Sequence, residues 1–196
     1  TEYLAHLDGK NTYGMMLVNK YLRVVPATIH IPIKDINKYL TTELIEKTIK
    51  TTHQELTNRF SISNPIIWIA GLNPHAGEAG TIGDEEKKFI IPVIKKLELE
   101  GYNLAGPISA DTMFYRKKRL KFDAAICMYH DQALIPIKTL DFHSSVNLTI
   151  GLSFIRTSPD HGTAFDIAGK NLANPTSTIE AIKLAWKLAK KEKKDR

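Results

Sequence analysis

The sequence predicts an α/β fold, a largely parallel sheet with flanking helices, and two observations carry that prediction. Short apolar runs of strand character alternate with segments of helical periodicity ten or more residues long, the pattern of crossover units. Three of those runs also close on a histidine: YLRVVPATIH (21–30), PIIWIAGLNPH (65–75) and DAAICMYH (123–130). In open α/β sheets the functional crevice lies beyond the carboxyl ends of the strands, so those ends are where polar chemistry is expected.

Taken in order, Val24 and Val25 lie in the first strand-like run, which ends at His30. ELIEKTIKTTHQELTNRF follows, with Ile45, Ile49, Leu56 and Phe60 at helical spacing and charges between them, an amphipathic surface helix. Pro65 introduces the second buried run, which leads into Asn73, Pro74 and His75. HAGEAGTIGDEE is rich in glycine and acids and reads as a loop running to a helix start. Asp84 is the expected N-cap of the helix through IIPVIKKLELE, and Gly101 its stop. A short segment at 110–114 precedes the third run, ending on His130. SVNLTIGLSFIRTS is a further strand region. Ser177 to Glu180 has the S-x-x-E form of a capping box opening the last helix, STIEAIKLAWKLAKK.

Composition excludes several classes. With 196 residues, 43% of them hydrophobic, the chain can bury one good core or two small ones. No apolar stretch approaches the roughly 20 residues that span a bilayer, and TEYLAHLDGK has no signal-peptide pattern, so the expectation is a cytoplasmic protein without a membrane partner. Lys and Arg number 27 against 21 Asp and Glu, a net charge of +6. KLAKKEKKDR at the end holds six positive and two negative residues and so supplies +4 of it, a solvated helix end rather than a nucleic-acid arm. No RNP, zinc-finger or basic-zipper pattern is present, and no nucleic-acid partner is expected. The single Cys127 sits inside an apolar run and reads as a small buried residue.

Three neutral imidazoles converging at strand ends, His30, His75 and His130, suit a divalent cation with positions left open for water or substrate. Zinc fits three nitrogens first; magnesium, manganese and cobalt are alternatives where oxygen fills the open positions. The remaining histidines lack that placement: His53 lies on a polar helix, His143 in a loop, and His6 in a short apolar stretch that suggests the core. Asp111 and Asp131 are candidate catalytic carboxylates, with helix capping as the bland alternative for each. Nucleotide-binding fingerprints of the Rossmann and P-loop kind are absent.

HGTAFDIAGKNLANP (161–175), however, resembles the loop with which isocitrate and isopropylmalate dehydrogenases hold the adenosine of NAD(P). The resemblance places His161 at adenine, Asp166 at the ribose and Asn174 at the adenine edge, with Gly162 also in the cofactor-binding set and Phe165 standing where that family usually has proline. The absence of a basic cluster beyond Lys170 favours NAD over NADP. TEYLA, ATIHIPIKDI, GLNPHAGEAG, ADTMF, CMYHDQALIPIK and VNLTIGLSFIRTSPDHGTAFDIAGK together resemble the 4-hydroxythreonine-4-phosphate dehydrogenase family, over nearly the whole chain. That resemblance implies an isocitrate/isopropylmalate dehydrogenase-like fold. It also implies an oxidation and decarboxylation of 4-phosphooxy-threonine in pyridoxal phosphate biosynthesis. His30, His75 and His130 match the family's metal ligands; Thr1, Lys138, Asn147 and Arg156 match its substrate and phosphate contacts. Active sites shared by two subunits, and hence a homodimer, are expected on the same ground.

The family has a histidine just before TEYLA and a large N-terminal portion before that, so residues 1–196 are expected to be the C-terminal portion, most of one α/β domain and part of a second. A paralogue acting on threonate or erythronate 4-phosphate is an alternative within the enzyme class. A non-catalytic basic binding module, resting on the +6 charge, is the alternative outside it.

Overall fold

A computed structural model describes residues 2–192. Helix α1 (Glu2–Leu7) leads into the hairpin of β1 (Gly14–Val18) and β2 (Arg23–Pro26). The short α2 (Ile36–Tyr39) and the long α3 (Thr42–Asn58) precede β3 (Ile67–Ala70). Thr41 caps α3, its hydroxyl accepting from the Leu44 N–H at 3.2 Å. Then come α4 (Ile91–Leu99), β4 (Leu104–Ile108), the one-turn helices α5 (Ala110–Met113) and α6 (Arg116–Arg119), and β5 (Ala124–Cys127). The chain continues through α7 (His130–Leu140), β6 (Val146–Ile150), β7 (Arg156–Pro159) and α8 (Thr176–Glu192).

One seven-stranded sheet has the order β4-β3-β5-β2-β1-β6-β7. β2 to β5 are mutually parallel; β1 is antiparallel to both β2 and β6, and β7 is antiparallel to β6. Five of the seven strands, β2 to β6, therefore point the same way, and the predicted fold class holds.

Strand alternation sorts the core into two layers. Met16, Val18, Val25, Ile67, Ile69, Ile126 and Leu148 face α3, α4 and α8, meeting Ile45, Ile49, Leu56, Ile94, Leu97 and Leu188. Met15, Leu17, Val24, Ala70, Ala125 and Cys127 face the other way, toward Ala133, Leu134 and Ile137 of α7. The strand β1 carries no flanking signal that marks it in sequence. The predicted strand region at 145–158 is two strands, broken where Gly151 turns at φ +85 and passes against Thr12, leaving no room for a Cβ. Arg156 consequently opens β7 rather than closing a strand.

Two expectations about helix ends need correction. The helix expected from Asp84 begins with a wide turn at Glu86–Ile90 before α4 proper, with the Asp84 carbonyl accepting from the Lys88 N–H. Ser177 does not cap α8: its hydroxyl donates to Ser145 O (2.7 Å) and accepts from Asp160 N–H (2.9 Å), while Asn174 Oδ1 takes the Thr176 N–H. His6 is exposed at the end of α1 rather than in the core.

Candidate active site

Because β2, β3, β4 and β5 are parallel neighbours, their exits share one edge of the sheet. His30 follows β2, His75 follows β3, Asp111 follows β4, and His130 is the first residue of α7 after β5. Hydrogen bonds staple these exits together. The Thr28 hydroxyl donates to Met128 O at 2.7 Å, tying the β2 exit to the β5 exit. The Gln132 side chain then accepts from Met128 N–H (2.7 Å) and donates to Gly71 O (2.8 Å), tying β5 to β3. Gln132, whose role sequence alone does not show because one of its partners, Gly71, lies past another strand, is thus the organising member of the His-Asp-Gln run.

His30 and His130 come together, their ring centroids 5.8 Å apart. His130 Nδ1 is 2.7 Å from Asp131 Oδ1, so an Nδ1–H donated to that carboxylate leaves Nε2 free as a donor atom. A small cavity of about 240 Å³ opens beside His30, His130 and Asp131, and a second of about 400 Å³ lies between Asp111, Asp131 and Gln132. His75 sits apart, on the Asp111 side. Ser109's hydroxyl donates to Asp111 and holds its carboxyl below the usual carboxylate range, with a smaller contribution from the His75 imidazole. Among the described residues no three His, Cys, Asp or Glu side chains of one chain gather into a metal cage.

His75 lies in an unusual segment. His75, Ala76, Gly77, Glu78 and Ala79 all have positive φ, a left-handed turn. Four of these residues are not glycine, and each costs roughly 1–2 kcal/mol relative to the right-handed form. Such a turn persists only where its surroundings over-determine it.

The polar residues of β6 and β7 share the α7 side of the sheet. Asn147 pairs with Leu17 and Thr149 with Met15, which places both on that face; Arg156 pairs with Thr149 and Ser158 with Asn147. Arg156 NH1 donates to the Thr149 hydroxyl at 3.3 Å, and Asn147 Oδ1 is buried without a hydrogen-bond partner. Lys138, near the end of α7, lies 3.3 Å from Asp160 Oδ2 and also donates to Asp160 O. Burial pushes the Asp160 carboxyl above its usual range, against the pull of Lys138 and of His130 and His161 further off. Sequence gave no signal for Asp160, whose meaning depends on a lysine 22 residues earlier. Thr1 lies outside the described residues.

Residues 160–174 wrap a cavity of about 620 Å³ lined by His161, Gly162, Asn171 and Asn174, with Phe142 and His143 closing it from the α7–β6 connection. Asn174 Nδ2 is 3.3 Å from His143 Nδ1, so the histidine read as a plain loop residue borders this site. Asp166 is exposed in the 3-10 turn Phe165–Ile167 and does not line the cavity. The size suits a nucleoside-sized group.

A parallel-strand α/β scaffold with imidazoles at its strand exits, a cation and amide strip beside them, and a loop-walled cavity places the chain among proteins of dehydrogenase-like fold. The family described as "Pyridoxal phosphate biosynthetic protein PdxA" matches residues 1–185, and the chain belongs to that family. It is 60% identical over 190 residues to a 4-hydroxythreonine-4-phosphate dehydrogenase of Roseobacter denitrificans, covering 96% of this chain and 58% of the relative. It is 56% identical to the Ruegeria enzyme of the same name, over 97% of this chain and 58% of that one. Among solved structures, the 4-hydroxythreonine-4-phosphate dehydrogenase of Klebsiella pneumoniae superposes with a TM-score of 0.87 at 40% identity, over 96% of this chain and 57% of that one. A terephthalate 1,2-cis-dihydrodiol dehydrogenase from Burkholderia xenovorans superposes at 0.76 with 34% identity, over 93% and 59%. The chain thus spans about three fifths of the length of these relatives. Among the described residues no helix is long and apolar enough to cross a membrane.

Proposed function

We propose that this chain carries the metal, phosphate and dinucleotide subsites of a cytoplasmic enzyme oxidising and decarboxylating 4-phosphooxy-L-threonine to 3-amino-2-oxopropyl phosphate with NAD. The observation that carries the reading is the pairing of the strand-exit imidazoles His30 and His130 at one end of α7, on the face of the sheet that carries Lys138, Asn147 and Arg156, in a chain whose relatives bear that enzyme's name.

The donor set fits a divalent cation in chemistry: imidazole nitrogens, one of them with its second nitrogen engaged by a carboxylate. His30, His75 and His130 would hold it, the set being completed between two copies of the chain, since one copy alone gathers no three-group cage among its described residues. A cation held there would supply Lewis-acid polarisation of the substrate hydroxyl, and a dinucleotide in the loop cavity would supply the hydride acceptor. Arg156 offers a planar fork and Lys138 a point charge to the phosphate. The buried Asn147 Oδ1 offers an acceptor to a substrate donor such as the ammonium. Asp131 hydrogen-bonds His130, which leaves Asp111, kept ionised by Ser109, as the candidate to take the hydroxyl proton. Loss of CO2 from the resulting β-keto acid leaves an enolate, and return of the proton held by Asp111 to the amine-bearing carbon would balance the formation of the amino-ketone phosphate. His161, Gly162 and Asn174 would frame the adenosine, while Asp166 is exposed and outside the cavity's lining.

Calorimetry with NAD and with 4-phosphooxy-L-threonine reads the two subsites separately, and NADH formation in the presence of zinc or magnesium reads turnover. The reading requires both ligands to bind, with Arg156→Ala weakening only the phosphorylated one, by about ten- to a hundredfold. Failure of either to bind would overturn the subsite it tests. Tighter binding of threonate 4-phosphate than of the amino acid would instead assign the chain to the sugar-acid paralogues.

A further inference from the structure

The left-handed turn that carries His75 is closed from behind by a buried carboxylate. Glu86 is 2% exposed. Its Oε1 accepts the backbone N–H of Asn73 at 2.7 Å, and its Oε2 accepts Asn73 Nδ2 at 2.9 Å. Asn73 is the residue immediately before the turn, and its Nδ2 is shared with Glu85 Oε2 at 2.7 Å. The same carboxylate is seated against the backbone on both sides. A Cβ built on Gly77 would stand 2.5 Å from Glu86 Oε2, and one built on Gly71 would stand 3.1 Å from Oε1. Glu86 therefore occupies the space enclosed by the end of β3 and the left-handed turn, touching the segment before His75 and the segment after it.

We propose that Glu86 is a positioning residue: through Asn73 and the close approach of Gly77 it fixes the left-handed turn over residues 75–79 and so aims the His75 imidazole. This rests on the reading of His75 as a metal ligand only for its consequence, not for the latch itself. Both Glu86 oxygens act as acceptors, so the isosteric Glu86→Gln places an NH2 against either the Asn73 N–H or the Asn73 Nδ2. Rotating the Asn73 amide does not relieve this, because it turns the Asn73 carbonyl oxygen onto the Glu85 carboxylate. Charge and hydrogen-bond polarity are both specified, and volume alone is not enough.

The test uses the full 196-residue chain. Hydrogen–deuterium exchange is followed in peptides covering 72–83 and 124–140, alongside Co(II) binding by calorimetry and visible absorption. Glu86→Gln is expected to speed exchange in 72–83 by about tenfold or more while leaving 124–140 unchanged, and to weaken Co(II) binding by about tenfold. Leu188→Ala, a core truncation on α8 far from the turn, separates this from general destabilisation: it lowers the unfolding midpoint but leaves exchange in 72–83 and Co(II) affinity as they were. Asn73→Ala, which removes one of the two contacts, gives an intermediate effect. Unchanged exchange in 72–83 in Glu86→Gln overturns the proposal whatever the metal does. Faster exchange with unaltered Co(II) affinity, where His75→Ala does weaken Co(II), overturns the aiming of His75. If His75→Ala leaves Co(II) binding untouched, the ligand reading of His75 falls, and the exchange result alone decides whether Glu86 is the latch.

Discussion

Gln132 joins the β5 exit to the β3 exit through two buried hydrogen bonds, and replacing it with leucine isolates their contribution. The change conserves volume and leaves two groups behind: the Met128 N–H and the Gly71 carbonyl, both in buried residues. Each stranded group costs about 1–3 kcal/mol when its partner disappears, so Gln132→Leu should destabilise the chain by roughly 2–6 kcal/mol. Gln132 itself is 9% exposed, which leaves little water to satisfy either group in its place. The lower bound alone is about a thirtyfold shift in the folded-to-unfolded ratio. Equilibrium unfolding in urea, followed by circular dichroism and fluorescence together, measures it. Gln132→Glu makes a finer comparison, because it keeps the acceptor for Met128 but sets a carboxylate oxygen against the Gly71 carbonyl. The buried acid is then raised in the folded state. Its stability is retained at acid pH and lost as pH rises through that raised value, so the variant should recover toward the parent on acidification. A Gln132→Leu variant within about 0.5 kcal/mol of the parent would refute the staple, since surface substitutions without structural consequence fall in that range.

Three further outcomes follow from the same geometry. Asp131→Asn, which keeps the shape but weakens the partner of His130 Nδ1, should lower Co(II) affinity about ten- to a hundredfold by calorimetry; undiminished affinity would remove Asp131 from the metal site. Cys127 is fully buried and burial pushes its thiol far up, so a thiol-reactive disulfide reagent should leave the native chain unlabelled and titrate one thiol in denaturant. Asp160 is raised in the fold by burial, so its contribution to stability is greatest below the unfolded value near 3.8 and is lost as pH rises through the folded one. Against Asp160→Asn, the parent should be relatively more stable at pH about 4 than at pH about 7; a pH-independent difference between the two in urea unfolding would contradict this.

What was legible in the sequence divides along physical lines. Helix α3 and the cores of β2, β3 and β5 could be read because their pattern is local: Ile45, Ile49 and Leu56 keep helical spacing, and Val24, Val25, Ile67, Ile69 and Ile126 sit in runs with no competing signal. The placement of His30, His75 and His130 past strand ends followed from those runs and from parallel topology. The capping box at Ser177 failed for the opposite reason. Its local pattern was correct, but Ser145 O and the Asp160 N–H, both distant in sequence, had claimed the hydroxyl. Arg156 was misplaced relative to its strand because the single residue Gly151 breaks the run, and nothing local distinguishes that break from a tolerated strand glycine. His75 shows the limit most sharply. Its position was readable, but its orientation was not, since four non-glycine residues in a left-handed turn contradict their own backbone preference. A conflict of that kind is resolved only by partners outside the segment, here Glu86 and the Gln132 bond to Gly71. Sequence reading therefore reaches as far as the strand ends and stops at the loops beyond them. There, residues from three strands and the turn before α4 jointly determine where each imidazole points.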